Sequence, residues 1–263
     1  MTQSVHVAPR KHPNLSARGV VRRFLIGLLA LFLLPLATHA AWWGSQNTAW
    51  SWRSANWSSS GILPSPTADR QAVVHVLAGR TGGWKGAFAH HTWIVLKPAG
   101  ATRYKRYDVV GWGRPVRVDN WVPDGRWYSN IPAILVTLKG EEAAAAISRI
   151  ERAVADYPFA NSGSYRVWPG PNSNTFIGHV AREVPELAAG LLPTAIGKDF
   201  TPDLLFAGLA PSTTGIQVSI KGLLGVTVAW VEGLELSFMG AVVGLDIRRP
   251  ALKLPGWGRI GLP

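Results

Sequence analysis

Hydrophobic periodicity changes twice along this 263-residue chain, and these changes limit the folds open to it. In the first half of the chain, hydrophobic and polar residues alternate. Hydrophobic residues then recur with helical spacing from Glu141 to Tyr157 and from Ser173 to Pro185, and the alternation returns from about residue 212. The alternating segments of the first half predict four strands, at 71–77, 91–97, 104–112 and 133–139. We therefore predict an α+β fold, in which helices pack on an antiparallel sheet and a β-rich C-terminal extension follows.

The first 43 residues have the charge layout of an export signal or membrane anchor. The uncharged run Phe24–Thr38 follows five cations, and no carboxylate occurs before Asp69. Those cations are Arg10, Lys11, Arg18, Arg22 and Arg23. Continued through Trp43, the run reaches about 20 residues, enough to span a bilayer. We expect one N-terminal membrane anchor, with the rest of the chain on the periplasmic side.

Cleavage of this segment is the alternative. Thr38-His39-Ala40 places small residues where a signal peptidase reads them, and Pro35 is expected to end the apolar helix. Cleavage after Ala40 would release a periplasmic protein. In either case, residues 44–68 predict a Ser-, Trp- and Pro-rich linker, and residues 69–263 predict a single exported domain.

Composition excludes several classes of protein. With 47% hydrophobic and 16% charged residues, the chain is not largely disordered. It has no cysteine and therefore neither disulfides nor a thiolate metal site. His90, His91 and His179 lack the spacing of a zinc site, so we expect no metal and no cofactor. In the C-terminal part, Glu232 and Glu235 favour a sheet over a transmembrane hairpin, because carboxylates are costly at bilayer depth.

The charge predicts an anionic partner. The formal charge of +12 becomes +7 without the five N-terminal cations, and six further cations fall close together with only Asp108 among them. They are Lys97, Arg103, Lys105, Arg106, Arg114 and Arg117. This stretch suits an anionic membrane surface or an anionic envelope polymer, or it forms a solvated strand face. Nucleic acid does not suit an exported chain.

The candidate site combines a hydroxyl with an imidazole. Ser173 lies at a predicted helix N-terminus, where backbone N–H groups and the helix dipole favour a developing anion. His91 begins a predicted strand, shares a face with Trp93, and could act as the base. Asp108 on the next strand is a weaker third candidate, because it could equally pair with Arg106 or Lys105.

Structural explanations account for the same residues. Serine and asparagine are preferred helix N-caps, so Ser173 could serve only as a cap. His91 could be a strand-end histidine packed against Trp93. His179 is expected to be a solvated helical residue.

A family resemblance favours the chemical interpretation. His91-Thr92-Trp93-Ile94 on a strand, followed by a helix and then by Asn172-Ser173-Asn174-Thr175-Phe176, resembles the permuted branch of NlpC-type peptidases, which are circularly permuted papain-like hydrolases. In those proteins a cysteine occupies the position of Ser173. The resemblance implies a permuted papain-like fold in which Ser173 is the nucleophile, His91 the base, and Asn172, Asn174 and Trp93 supporting residues.

A second resemblance covers most of residues 70–263. The chain is similar to a bacterial family of unknown function, numbered 3750, in five segments: Gly82-Gly83-Trp84-Lys85-Gly86, His91-Thr92-Trp93, Gly111-Trp112, 169–176 and 250–255. That family implies an envelope location and no established activity. We therefore expect a membrane-associated bacterial envelope protein with a hydrolase or acyltransferase fold, acting on an amide or ester of cell-wall peptide or lipid. The alternative is a non-catalytic binding or scaffolding domain with a degenerate site.

Overall fold

Two antiparallel sheets and three α-helices form the part of the chain that the structure, a computed structural model, describes, which is residues 17–46 and 51–261. The predicted α+β class is confirmed. Arg10 and Lys11 of the predicted basic flank, and residues 47–50 of the predicted linker, lie outside the described residues.

The first sheet has five strands in the order β4-β3-β2-β1-β5. Its strands are β1 (Val73–Arg80), β2 (His90–Lys97), β3 (Lys105–Val109), β4 (Val116–Val118) and β5 (Ala133–Lys139). The predicted third strand is therefore shorter than expected, and β4 was not predicted. β1 lies between β2 and β5, paired from Val73↔Lys97 to Arg80↔His90 on one side.

Two helices cover one face of this sheet. They are α2 (Gly140–Ala155) and α3 (Ser173–Glu183), which pack against β1, β2 and β5. Every second residue of β2, including Ile94 and Leu96, enters the core between sheet and helices, where Phe176 and Ile177 of α3 are fully buried. This packing places the N-terminus of α3 beside the first residues of β2.

Aromatic residues cover the opposite face. Trp93 and Val95 of β2 pack there with Trp127, and Trp57 and Leu63 of the predicted linker close over them. The carboxylate of Asp124 binds this segment through the Ser59 hydroxyl (2.9 Å) and the amide of Ile62 (3.1 Å). From residue 51 onward, the predicted linker is thus packed against the domain.

The second sheet is a meander of seven consecutive strands, β6 to β12. They are β6 (Leu205–Leu209), β7 (Gly215–Ile220), β8 (Leu224–Ala229), β9 (Gly233–Phe238), β10 (Ala241–Asp246), β11 (Ala251–Leu254) and β12 (Gly258–Gly261). One face of this sheet is polar and buried, with Gln217, Ser219, Thr227, Glu235, Ser237 and Lys253.

The opposite face of the second sheet, here called the outer face, is apolar. Pairing aligns one residue from each strand into a row across the sheet, and shorter rows run beside it. The full row is Leu209, Ile216, Val228, Leu234, Leu245, Leu252 and Ile260, and all seven side chains are exposed. The sheet therefore has the reverse of the usual arrangement, in which the apolar face is buried.

α1 (Ala17–Gly44) precedes both sheets and is long and apolar enough to span a membrane or to act as a signal sequence. The prediction that Pro35 ends this helix is wrong, because α1 continues through it. Its second half is docked: Phe32, His39 and Trp43 are buried, His39 Nδ1 lies 2.6 Å from the carbonyl oxygen of Ala87, and Trp43 Nε1 donates to Gly83 at 2.9 Å. Contacts one or two helical turns apart hold this face against the domain.

The predicted basic surface stretch is broken up by burial. Lys97 and Arg106 are each 1% exposed, and the ammonium of Lys97 donates to the carbonyl oxygens of Asp69 and Gln71. Lys105 pairs with Glu151 at 2.8 Å. Strand alternation places Lys97 and Arg106 on a covered face of the sheet. These two cations are therefore buried and do not form part of a surface for an anionic partner.

Lys198 attaches the segment that follows α3 to the second sheet. Its ammonium lies 2.9 Å from Asp199 and 2.7 Å from Glu235, and Lys253 neutralises the other oxygen of Glu235. Lys198→Ala leaves two buried carboxylates with one cation, so we expect a loss of about 3–5 kcal/mol in the free energy of unfolding. Urea unfolding followed by circular dichroism measures it. The exposed Lys85→Ala is the control, and equal effects of the two substitutions would contradict the assignment.

Candidate functional site

Asn172, rather than Ser173, caps α3. Its side-chain oxygen accepts from the amides of Asn174 (2.9 Å) and Thr175 (3.2 Å), while its amide nitrogen donates to the carbonyl oxygens of Val167 and Ile196. The Thr175 hydroxyl accepts from the backbone of Asn172, which completes a capping box. The suggestion that Ser173 serves only as the cap therefore does not describe this helix.

Ser173 is the first residue of α3 and keeps its two hydrogen-bond donors free. Among the residues that the structure describes, neither its hydroxyl nor its backbone N–H has a hydrogen-bond partner. The side chain lines a cavity. The side chain of Asn172 accepts from the next two backbone amides, those of Asn174 and Thr175. The N–H of Ser173 is therefore the donor at this helix terminus that remains available to an anionic oxygen.

Asn174 attaches the beginning of α3 to β2. Its side-chain oxygen accepts from the Thr92 hydroxyl at 2.7 Å, and its amide donates to the carbonyl oxygens of His90 and Ile196. Thr92 thus faces the helix, and His91, its neighbour on the strand, faces the aromatic side of the sheet. His91 lies on the aromatic face of the sheet and Ser173 begins a helix on the other face, and both residues line one cavity at this end of the sheet.

The imidazole of His91 is oriented by Asp108. Nε2 lies 2.6 Å from one carboxylate oxygen of Asp108, so a neutral ring carries its proton on Nε2 and leaves Nδ1 as the basic nitrogen. The ring also stacks on Trp127, with centroids 3.7 Å apart and planes 6° from parallel. Packing and hydrogen bonding together hold the ring of His91 in one orientation.

Arg106 compensates the charge of Asp108. Its guanidinium binds the second carboxylate oxygen through Nε (2.9 Å) and Nη2 (2.5 Å), and it lies 4.1 Å from the ring centroid of Trp93. Burial by itself raises the pKa of the Asp108 carboxyl, but the charge of Arg106 and the hydrogen bonds from His91 and Arg106 outweigh it and hold that pKa below its ordinary value. Asp108 therefore pairs with both Arg106 and His91, whereas Lys105 binds Glu151 instead.

Ser173 and His91 line a cavity of about 560 Å³ whose other walls are mostly apolar. The apolar walls are Trp84, Phe88, Tyr165, Val167, Trp168 and Ile196. Trp84, on the 3-10 helix Gly83–Ala87 beside α1, is 65% exposed and lies at the rim. The site can thus present a hydroxyl, an amide N–H and an imidazole to one group bound in an apolar cavity.

Sequence reasoning named the polar residues of this site and missed its walls. Trp127, which stacks on His91, lies in a turn and follows no periodic pattern. Tyr165 and Ile196 come from loops for the same reason. The expectation of a solvated His179 is wrong, since that side chain is partly buried and its Nε2 lies 2.9 Å from the carbonyl oxygen of Ala153 on α2.

These features define an α+β protein with a serine at a helix N-terminus and a carboxylate-oriented histidine in one cavity. Residues 71–200 match the model of a family described as Protein of unknown function (DUF3750). The match covers the first sheet, both of its helices and the residues from His91 to Asn174, and it ends before the second sheet and the segment 250–255. No curated protein and no solved structure is detectably similar to the chain.

Gly197 provides a test of the capping network. It has φ +96°, and a Cβ at this position would lie 2.4 Å from the side chain of Asn172. Gly163 also has a positive φ (+83°) but open space around it. We expect Gly163→Ala to cost about 1–2 kcal/mol from backbone conformation alone. Gly197→Ala should cost at least about 1 kcal/mol more, because it also disturbs the N-cap. Denaturant unfolding measures both, and equal losses would show that Asn172 adapts without cost.

His90, which also lines the cavity, predicts a dependence of stability on pH. Burial, followed by the charge of Arg80, lowers the pKa of His90 from 6.5 to about 3. The unfolded chain therefore binds a proton that the folded protein does not, and stability present above pH 6.5 is lost as the pH falls toward 3.

His90→Gln should reduce this slope by about 1.4 kcal/mol per pH unit. His75, whose pKa burial lowers to about 4, leaves part of the dependence in place. Urea unfolding at several pH values between 7 and 4 measures the slope. An unchanged slope in the variant would mean that His90 is protonated in the folded state.

Proposed function

We propose that this protein is a membrane-associated bacterial envelope protein with a permuted papain-like fold, acting as a hydrolase or acyltransferase on an amide or ester. Ser173 is the nucleophile, His91 the general base, and Asp108 the residue that orients His91. One observation carries the proposal: Ser173, whose hydroxyl is unbonded, and His91, whose Nε2 is held by Asp108, line the same cavity.

The proposed reaction is the transfer of an acyl group to Ser173. Nδ1 of His91 accepts the hydroxyl proton as Oγ of Ser173 forms a bond to the acyl carbon. The negative charge that develops on the acyl oxygen is stabilised by the N–H of Ser173 and the N-terminus of α3. His91 then returns the proton to the leaving amine or alcohol. Water, or a second alcohol or amine, releases the acyl group by the reverse sequence.

The order of the elements supports the permuted papain-like assignment. His91 on a strand precedes the nucleophile at a helix N-terminus in the chain, and Asp108 follows on the neighbouring strand. The apolar walls of the cavity favour a substrate with an apolar group next to its amide or ester, as in a lipid, over a purely polar peptide of the cell wall. α1 supports a location at the membrane.

A non-catalytic binding domain is the second candidate. It is favoured by the lack of a hydrogen bond between the two described residues Ser173 and His91, and by the chemistry of serine, which needs a well-aligned base where cysteine does not. In this case the cavity binds its ligand and no acyl-enzyme forms.

Labelling with a fluorophosphonate separates the two candidates. We expect covalent modification of Ser173 in the full chain in detergent, none in Ser173→Ala, and labelling slower by roughly 10²–10⁴-fold in His91→Ala. Ser148→Ala, on the exposed side of α2, is the control and should label like the parent chain. Modification that survives Ser173→Ala, or none at all with probes of several sizes, favours the binding domain.

The lack of native cysteine allows a second measurement within the same test. In Ser173→Cys every thiol reaction occurs at the site, and the rate of alkylation by iodoacetamide as a function of pH reports the thiol pKa. An ordinary thiol has a pKa of about 8.5. We expect a lower value in Ser173→Cys, a return toward 8.5 when His91→Ala is added, and an ordinary value in Ser148→Cys. A pKa that is unaffected by the loss of His91 would contradict its role as the base.

A further inference from the structure

We propose that the outer face of the second sheet lies against the hydrocarbon of the bilayer that holds α1. The inference is independent of catalysis at Ser173. It rests on one part of the proposed function, the retention of α1 in a membrane.

The composition of the outer face is the first argument. Beside the full row, pairing aligns a second one, Ala207, Val218, Val226, Leu236 and Val243, and a third, Leu205, Ile220, Leu224, Phe238 and Ala241. No charged or polar side chain interrupts these rows of described residues. The full row spans about 29 Å, from six strand spacings of about 4.8 Å. A continuous apolar surface of this extent marks an interaction site in a folded protein.

Contact with α1 is the second argument, and it identifies the bilayer as the partner. The ring of Phe32 lies 5.9 Å from that of Phe238 on the outer face, and Trp257, in the turn between β11 and β12, donates from Nε1 to the Thr38 hydroxyl at 3.1 Å. The apolar surface of α1 and the outer face are therefore continuous. On α1, Leu29 and Leu33 are exposed beside this junction.

The length of α1 is the third argument. Phe32 lies nine residues after Arg23, the last cation of the basic flank, which at 1.5 Å per residue is about 13 Å. The hydrocarbon of a bilayer is about 30 Å thick, so a spanning α1 with its cations at one surface places Phe32 within the hydrocarbon. Phe238 then lies at a similar depth, where only an uncharged surface is tolerated. The outer face meets that requirement.

The absence of native cysteine again provides a direct test. Single-cysteine variants of the full chain are labelled with the fluorophore NBD and reconstituted into phosphatidylcholine–phosphatidylglycerol vesicles, some with brominated acyl chains. Val226→Cys probes the centre of the outer face, Leu29→Cys probes α1, and Ser148→Cys is the exposed control on α2. Circular dichroism verifies that each variant folds.

We expect blue-shifted emission and quenching by bromolipid at Val226→Cys and Leu29→Cys, and neither effect at Ser148→Cys. Quenching at Leu29→Cys but not at Val226→Cys would overturn the proposal and leave the anchor in place. No quenching at either position would instead refute the membrane anchor. Efficient disulfide crosslinking of unlabelled Val226→Cys, together with blue-shifted but unquenched emission of the labelled variant, would overturn the proposal in favour of a second copy of the chain on this face.

Discussion

The buried ion pairs of Lys198 are the interaction on which the rest of the structure depends. Lys198 directly follows the loop residues Ile196 and Gly197, whose carbonyl oxygens bind the N-terminus of α3. Its ammonium pairs with Asp199 and with Glu235 on the buried polar face of the second sheet. Burial opposes its charge, but the two carboxylates raise its pKa above the ordinary value. With Lys253 included, two cations and two carboxylates balance. A balanced cluster of this kind allows a polar sheet face to be buried.

The same loop determines the geometry of the candidate site. The carbonyl oxygen of Ile196 accepts from both Asn172 and Asn174, and that of Gly197 accepts from Thr175 at 2.8 Å. With its neighbours bound in this way, Ser173 is left at the helix start with its hydroxyl unbonded. The second sheet thus contributes to the site indirectly, since it anchors the loop through Lys198. This coupling places the second sheet and an apolar cavity on the two sides of one short segment.

Alternation in the sequence predicted the strands well and their burial poorly. The pattern of residues 215–238 is that of a half-buried sheet, and by itself it implies that the apolar side faces the core. The structure has the opposite arrangement, because Gln217 and Glu235 find partners in Lys198 and Asp199 from outside the sheet. Arg106 is a second case. The sequence predicted it on the surface, but it is buried with Asp108 between Trp93 and Trp121, because Asp108 neutralises its charge. Periodicity records which residues share a face, and the packing partner decides which face is covered.

The sequence by itself determined the α+β class and an N-terminal helix suited to a membrane. It also determined the start of α3 at Ser173 and the shared face of His91 and Trp93. All four features depend on local propensity and spacing. Only the tertiary structure decided that Asn172 takes over the capping, that Asp108 binds both His91 and Arg106, and that the second sheet turns its apolar face outward. Each of these depends on hydrogen bonds and ion pairs between segments far apart in the chain, and their strength comes from burial that no local pattern encodes.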